Sequence, residues 1–425
     1  MITGEVNPTS AALLHLHLRA HQGRGVTNGL GGSELSVTRK LTRIAHAADH
    51  ALSRLSPQRR VLVEMRTPVY HAVLGPVCDA IQTLPNVVLH YTSEYPDRIR
   101  PLIGGSRFVT HREAEWSRYD LYLNADPWAA ARLRRCAHRI NFFHGVAGKY
   151  DLDSPGGLPM GFEYYDRVAF INEDRLRRYL AARVVTASQA VLVGYPKLDR
   201  LASGKVDGSA VRESLGLTAR RPTVLYAPTY SPASSLHGAG EQIVRELDAA
   251  GFNVIVKLHD RSLDPDPRYT GNVDWRARMQ ALEVPGRISY VEAPDACPYL
   301  AAADIMVTDH SSVGFEFLVL DRPLLVFDAP GLIEAARINP QKVTLLRSAA
   351  RVASTVDELV AAAKEETASP ARLSVERRRV AGEVFYQPGG ATERAVALIR
   401  GVLSEGSRPH AIGAHKPEPV AEGGS

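Results

Sequence analysis

Residues 304–328 read DIMVTDHSSVGFEFLVLDRPLLVFD. Ile305–Thr308 and Leu324–Phe327 are short apolar runs rich in branched residues, which suits buried strands. Between them a polar turn, Asp309-His310-Ser311-Ser312, opens a helix that contains Glu316. Strand, helix, strand in this order is a βαβ unit, and βαβ units build parallel sheets with helices on both faces.

Outward from this stretch the same rhythm repeats. Val61–Met65, Val87–Tyr91, Leu121–Asn124 and Ile140–Phe143 read as buried strands, with helix-like stretches at 70–83 and 127–137. Val168–Ile171, Val191–Val193, Val224–Tyr226, Val254–Leu258 and Ile288–Val291 continue it. So many strands exceed one small sheet, so the expected fold is α/β with two Rossmann-like parallel-sheet domains. The expected organisation is an N-terminal extension with a helix (1–60), a first Rossmann-like domain (61–205) and a second (206–385). A C-terminal helix (386–404) and a disordered tail (405–425) follow; Gly204, Asp207 and Gly208 make the linker, and Ser33 caps a helix reaching Ser53.

The chain has 425 residues, 45% hydrophobic and 23% charged, which excludes disordered and fibrous classes. Its net charge is +5, and residues 1–150 hold 19 Lys+Arg against 11 Asp+Glu. A basic first half suits an anionic partner such as phosphate, a phospholipid surface or nucleic acid, without choosing among them. Cys78, Cys136 and Cys297 lie far apart with no C-x-x-C, which points to a reducing cytosol rather than a disulfide framework or zinc site. The first twenty residues lack the basic-then-apolar order of a secretory signal, and no run approaches the ~18 apolar residues of a spanning helix. The expected location is cytoplasmic, peripheral on the inner face of the membrane.

In parallel sheets ligands bind beyond the C-terminal strand ends. Four of these ends are unusually polar: His144-Gly145 with Lys149, Ala227-Pro228-Thr229-Tyr230, His259-Asp260-Arg261-Ser262, and Thr308–Ser312. Hydroxyls and free N–H groups at a helix start favour an anion; simple capping by Asp309 or Ser311 is the ordinary alternative. Glu316 is placed to take the two hydroxyls of a ribose, or to be a solvated helix residue. A histidine can accept a proton from an attacking hydroxyl, and Lys149 is a phosphate-seeking cation. His259 with Arg261 suits charge developing on a diphosphate.

HGVAGK (144–149), VGYPKLDRL (193–201), LYAPTY (225–230), VKLHDRS (256–262) and the 304–328 stretch together resemble the CDP-glycerol glycerophosphotransferase family, which builds teichoic acids and related glycerol-phosphate polymers. The resemblance implies a GT-B fold, two Rossmann-like domains facing a cleft, with the acceptor at 61–205 and the nucleotide donor at 206–385. It implies His144 as base, His259 assisting at the donor phosphate, and Thr308, Asp309, Ser311 and Ser312 holding the diphosphate. It also places Gly390, Thr392 and Arg394 of YQPGGATERA (386–395) at the donor or the domain interface. The implied partners are CDP-glycerol or a similar CDP-polyol and a polymer or lipid-linked acceptor, with no cofactor, no metal site and no nucleic acid. Departures are Val146-Ala147-Gly148 for the usual T-P-x, Ser231 for arginine, Asp260 for proline after His259, and His310 for a familiar tyrosine.

Two other functions compete. A glycosyltransferase on the same architecture would release UDP or GDP from a nucleotide sugar, because fold alone does not set the reaction. A non-catalytic nucleotide-binding paralogue would bind without turnover. Asp264-Pro265-Asp266 resembles a metal-binding D-x-D but reads as a proline turn. The Gly23–Gly32 cluster lacks a preceding strand and a following G-K-[ST]. Arg132, Arg134, Arg135 and Arg139 read as a solvated basic face or a contact for anionic lipid.

Overall fold

Val61, Leu62 and Val63 are wholly buried because their strand lies in the middle of a sheet covered on both faces. The computed structural model describes residues 56–125, 135–145, 161–336 and 338–405, all within one compact unit, Ser56–Ser425. The Ser33–Ser53 helix, the Gly23–Gly32 cluster, Lys149, Arg132, Arg134 and the tail beyond residue 405 lie outside the described residues.

Among the described residues there are two parallel sheets. The first contains β1 (Arg59–Glu64), β2 (Val87–Thr92), β3 (Arg107–Phe108), β4 (Tyr119–Asn124), β5 (Cys136–Phe142), β6 (Arg167–Phe170) and β7 (Ala190–Leu192) in the order β3-β2-β1-β4-β5-β6-β7. The second contains β8 (Thr223–Tyr226), β9 (Asn253–Lys257), β10 (Ile288–Val291), β11 (Ile305–Thr308), β12 (Leu324–Phe327) and β13 (Arg351–Ala353) in the order β10-β9-β8-β11-β12-β13. Every pairing within these sheets is parallel. The two Rossmann-like lobes of the expected α/β fold are therefore present. The strand order reverses between β1 and β4 in one sheet and between β8 and β11 in the other, which opens a ligand crevice at the C-terminal strand ends.

Alternate residues of each strand serve different cores. Leu225, Ile255 and Met306 join the large apolar cluster that runs from the first lobe into the inner face of the second sheet. Val224, Tyr226, Val254, Val256, Ile305 and Val307 fill the cluster on the other face. Each fully buried Val or Leu contributes roughly 1.5–3 kcal/mol from water exclusion. The two-sided burial explains why these strands read as unbroken apolar runs.

Six helices matter below: α1 (Pro68–Gln82), α2 (Ser235–Ala249), α3 (Ser312–Phe317), α4 (Pro340–Ser348), α5 (Ser374–Val384) and α6 (Ala391–Ser404). α1 starts with proline at its first position after extended Thr67, where the missing N–H costs nothing. Two short edge strands, β3 and β13, were not anticipated by the sequence reading. Of the stretch 127–137, expected as helix, residues 127–134 lie outside the described residues, and β5 begins at Cys136 with Arg139 buried inside it rather than on a solvated basic face.

The chain leaves the first lobe after β7 and returns after α5. Tyr386 N–H donates to Ile171 O (2.9 Å), Asn172 Nδ2 donates to Val384 O (3.0 Å), and α6 then packs against α1 of the first lobe. Gly194, on the outgoing segment, has φ +90°, and a Cβ there would lie 2.6 Å from Tyr386 O. Only glycine fits that approach. The three cysteines are buried free thiols, and burial pushes Cys78 and Cys136 up to about 12. Among the described residues no helix is long and apolar enough to cross a membrane.

Candidate functional site

The end of β5 delivers His144. Its Nδ1 lies 3.0 Å from the carbonyl oxygen of Ala125, the residue after β4. A carbonyl can only accept, so Nδ1 carries the proton and Nε2 carries the lone pair, the tautomer a general base needs. The imidazole stacks on Tyr70 of α1 at 5.1 Å, and Tyr195 Oη donates to His144 O at 3.0 Å.

Across the crevice, β9 delivers His259. Its Nδ1 is 2.6 Å from Asp260 Oδ1 and 3.1 Å from Arg261 N, so two partners contend for one nitrogen. The Arg261 N–H is also served by Asp260 Oδ1 at 3.0 Å. The shorter, charge-assisted contact decides the matter: Nδ1–H donates to Asp260. Burial pushes the Asp260 carboxyl up, but the hydrogen bond and charge of His259 outweigh it, and the net value falls to about 2. Held this way, the ring has Nε2 left to meet a ligand. Arg261 is fixed by donating to Tyr230 Oη (3.1 Å) and by lying over the Tyr230 and Tyr269 rings.

The start of α3 holds the hydroxyl pair. Ser311 stands at the N-cap, yet its hydroxyl makes no capping hydrogen bond. Asp309 does not cap α3 either. It is fully buried, and its carboxylate accepts from Thr229 N (2.9 Å), Thr229 Oγ1 (2.5 Å), Ser235 N (3.2 Å) and Ser235 Oγ (3.0 Å). Asp309 therefore clasps the loop after β8 and the start of α2 to the end of β11. That corrects its expected role as a diphosphate ligand, because a sealed carboxylate whose oxygens are all occupied has nothing to offer an anion. Thr229 spends its hydroxyl on the same clasp, and Thr308 Oγ1 donates to Ala227 O (2.7 Å). Of the four residues expected to hold the diphosphate, Ser311 and Ser312 are the two whose hydroxyls are not spent on such contacts.

Glu316 is a second correction. Its Oε2 accepts from Lys197 Nζ at 2.6 Å, with both side chains buried, so the ribose role expected for it is taken by an ammonium from the segment after β7. Burial alone would lower the Lys197 pKa, but Glu316 beside it raises it on balance. Lys257, the last residue of β9, is half-buried and donates to Leu258 O at 3.2 Å; burial and the neighbouring Lys197 charge bring it down to about 8.

Gly390, Thr392 and Arg394 stand at the start of α6, where groups of the chain itself engage the helix terminus and the arginine. The N–H groups at the start of α6 (Gly389, Ala391 and Thr392) donate to Asp199 at 3.0, 3.1 and 2.5 Å, so a carboxylate of the chain already fills that helix terminus. Arg394 donates to Val193 O (2.8 Å) and Gln387 O (2.8 Å), tying the two inter-lobe crossings together. Asp266 caps the turn Pro267–Thr270 and pairs with Arg268, a structural use of the D-x-D.

Sequence reasoning assigned no role to Lys197, Lys257, Tyr195 or Asp260. The lysines sit in the quoted stretches VGYPKLDRL and VKLHDRS, and a buried cation beside a polar strand end was the available signal.

Residues 165–400 match the family described as CDP-Glycerol:Poly(glycerophosphate) glycerophosphotransferase. A teichoic acid glycerol-phosphate primase of Bacillus subtilis is 24% identical over 170 residues, 39% of this chain and 40% of that protein. The Bacillus spizizenii primase is 24% identical over 141 residues, 32% of each. The chain thus spans well under half the length of the curated relatives it matches. The solved wall teichoic acid polymerase TagF shares the fold, with a TM-score of 0.61 and 14% identity over 87% of this chain and 98% of that one. A UDP-GlcNAc 2-epimerase from Neisseria meningitidis does so at 0.54 and 12%, over 81% and 99%.

Proposed function

Because the chain belongs to the CDP-glycerol:poly(glycerophosphate) glycerophosphotransferase family, we propose that it moves glycerol phosphate, or a related polyol phosphate, from a CDP-activated donor to an acceptor hydroxyl and releases CMP. The acceptor is a cell-envelope polymer or a lipid-linked chain end. His144 Nε2 takes the proton of the attacking hydroxyl. The oxygen attacks the phosphorus that bears the polyol, and the bond to the CMP oxygen breaks. His259 Nε2, Arg261 and the Ser311–Ser312 hydroxyls receive the charge that gathers on the diphosphate oxygens. Such displacements depend on in-line positioning and charge neutralisation more than on covalent catalysis.

One observation carries the reading. Two histidines sit at strand ends of different lobes, and each has its Nδ1 engaged by a fixed acceptor, Ala125 O for His144 and Asp260 for His259. His144 then takes the proton on Nε2, and His259 donates from Nε2 in its doubly protonated form beside the Asp260 carboxylate.

The test is incubation with CDP-glycerol, CDP-ribitol, UDP-N-acetylglucosamine and GDP-mannose, with mass spectrometry of the nucleotide released. CMP from a CDP-polyol is the expected product. UDP or GDP release, or binding without turnover, would refute the proposal. The basic first 150 residues are proposed to draw the anionic acceptor or its membrane to the first lobe. Retention on phosphatidylglycerol vesicles that falls steeply with added salt is the expected result.

A further inference from the structure

His310 stands between Asp309 and Ser311, at the edge where the diphosphate is proposed to lie, and none of the chemistry above uses it. It is only 7% exposed. Its Nε2 lies 3.3 Å from Arg347 Nη2 of α4. A guanidinium can only donate, so Nε2 accepts and Nδ1 carries the proton. That N–H is buried and has no partner. Burial, with Arg347 beside the ring, brings the imidazole down to about 4, so the neutral form holds at neutral pH. Arg347 in turn pairs with Asp328, the residue after β12, and its own Nε–H is buried and unpartnered. Asp328 uses Oδ1 in that pair, and among the described residues no partner is found for Oδ2. Three side chains from the ends of β11 and β12 and from α4 thus converge with two unspent donors and one unspent acceptor. Buried donors in folded proteins are nearly always paired, so these two N–H groups, on side chains that touch through Nε2 and Nη2, can be satisfied by ligand oxygens.

We propose that His310, Asp328 and Arg347 form a subsite for the polyol of the donor and so determine which polyol phosphate is moved; this rests on the CDP-polyol reading above. The mixture of groups selects the ligand class. A phosphate only accepts, and Asp328 would repel it. A vicinal diol both donates and accepts, so one hydroxyl can donate to Asp328 Oδ2 while its neighbour accepts from His310 Nδ1–H or Arg347 Nε–H. The position agrees, because the subsite adjoins Ser311 on the β12 side, whereas His259 and Arg261 flank the diphosphate on the β9 side.

The experiment is calorimetric binding of CDP-glycerol, CDP-ribitol and CDP to the full chain and to three variants. His310→Phe keeps the ring volume and removes both nitrogens. It is expected to weaken CDP-glycerol about tenfold or more while CDP stays within about twofold. His310→Asn, whose amide can replace Nδ1–H, is expected to recover most of the loss. Asp328→Ala, at a partly exposed position, provides the same comparison should His310→Phe not fold, and is expected to change the CDP-glycerol to CDP-ribitol preference. Equal losses for CDP and CDP-glycerol, or no loss for either, would overturn the subsite while leaving the donor reading intact. A wild-type chain that binds no CDP compound overturns both.

Discussion

Lys197 Nζ donates to Glu316 Oε2 across 2.6 Å, joining the segment that leaves the first lobe to the helix that opens the second lobe's anion edge. The pair is buried on both sides. Removing one partner leaves an uncompensated charge, so Lys197→Met or Glu316→Leu alone should each destabilise the fold by about 3–5 kcal/mol. The double replacement Lys197→Met with Glu316→Leu should be far milder than their sum, and near neutral. Urea denaturation of the four proteins measures this. Additive losses would show that the two groups do not act as a pair.

His144→Ala and His259→Ala should each reduce CMP release by roughly 10²–10⁴, the range for acid–base groups. The two losses should differ in kind. His144 acts on the acceptor hydroxyl, so its loss should lower kcat with the donor KM little changed. His259 touches the donor, so its loss should also raise that KM. Turnover within a few-fold of wild type in both variants would remove them from the mechanism.

Lys257 gives a pH signature. Its ammonium falls to about 8 in the folded chain from an ordinary 10.5. Between those values the unfolded chain holds a proton that the folded chain has released. The stability contributed by this group is therefore present above 10.5 and lost as pH falls through about 8. Lys257→Met abolishes the term. The stability of wild type relative to Lys257→Met should accordingly rise from pH 8 to 10.5 in urea titrations, and a flat difference would contradict the depressed ammonium.

Gly194 tolerates no side chain. With φ +90° and Tyr386 O 2.6 Å from where a Cβ would sit, Gly194→Ala should cost about 2–4 kcal/mol through strain and displacement of the returning segment. Faster amide exchange at Tyr386 and Gly389 is the matching local readout. Gly216, also at positive φ but with open space around it, should lose less on the same change.

The sheets were legible because covering both faces of a strand leaves a continuous apolar run, as in Val254, Ile255 and Val256, which divide between two cores. β3 and β13 escaped notice because strands of two and three residues at a sheet edge carry little apolar signal. The strand ends could be located, but not the direction each side chain takes. Asp309 looks like an anion-site residue by its neighbours, and only the positions of Thr229 and Ser235 turn it inward. Glu316 and Lys197 are 119 residues apart, beyond any local pattern. The start of α6 is engaged by Asp199, 192 residues earlier, a pairing as far beyond local pattern as that of Glu316.

The outgoing segment at Val193–Tyr195 and the returning segment at Val384–Tyr386 lie against each other, bridged by Arg394 and by the stacked Tyr195 and Phe385 rings. Two crossings held together by these contacts act as one double-stranded connection, so a change at either segment is passed to the other.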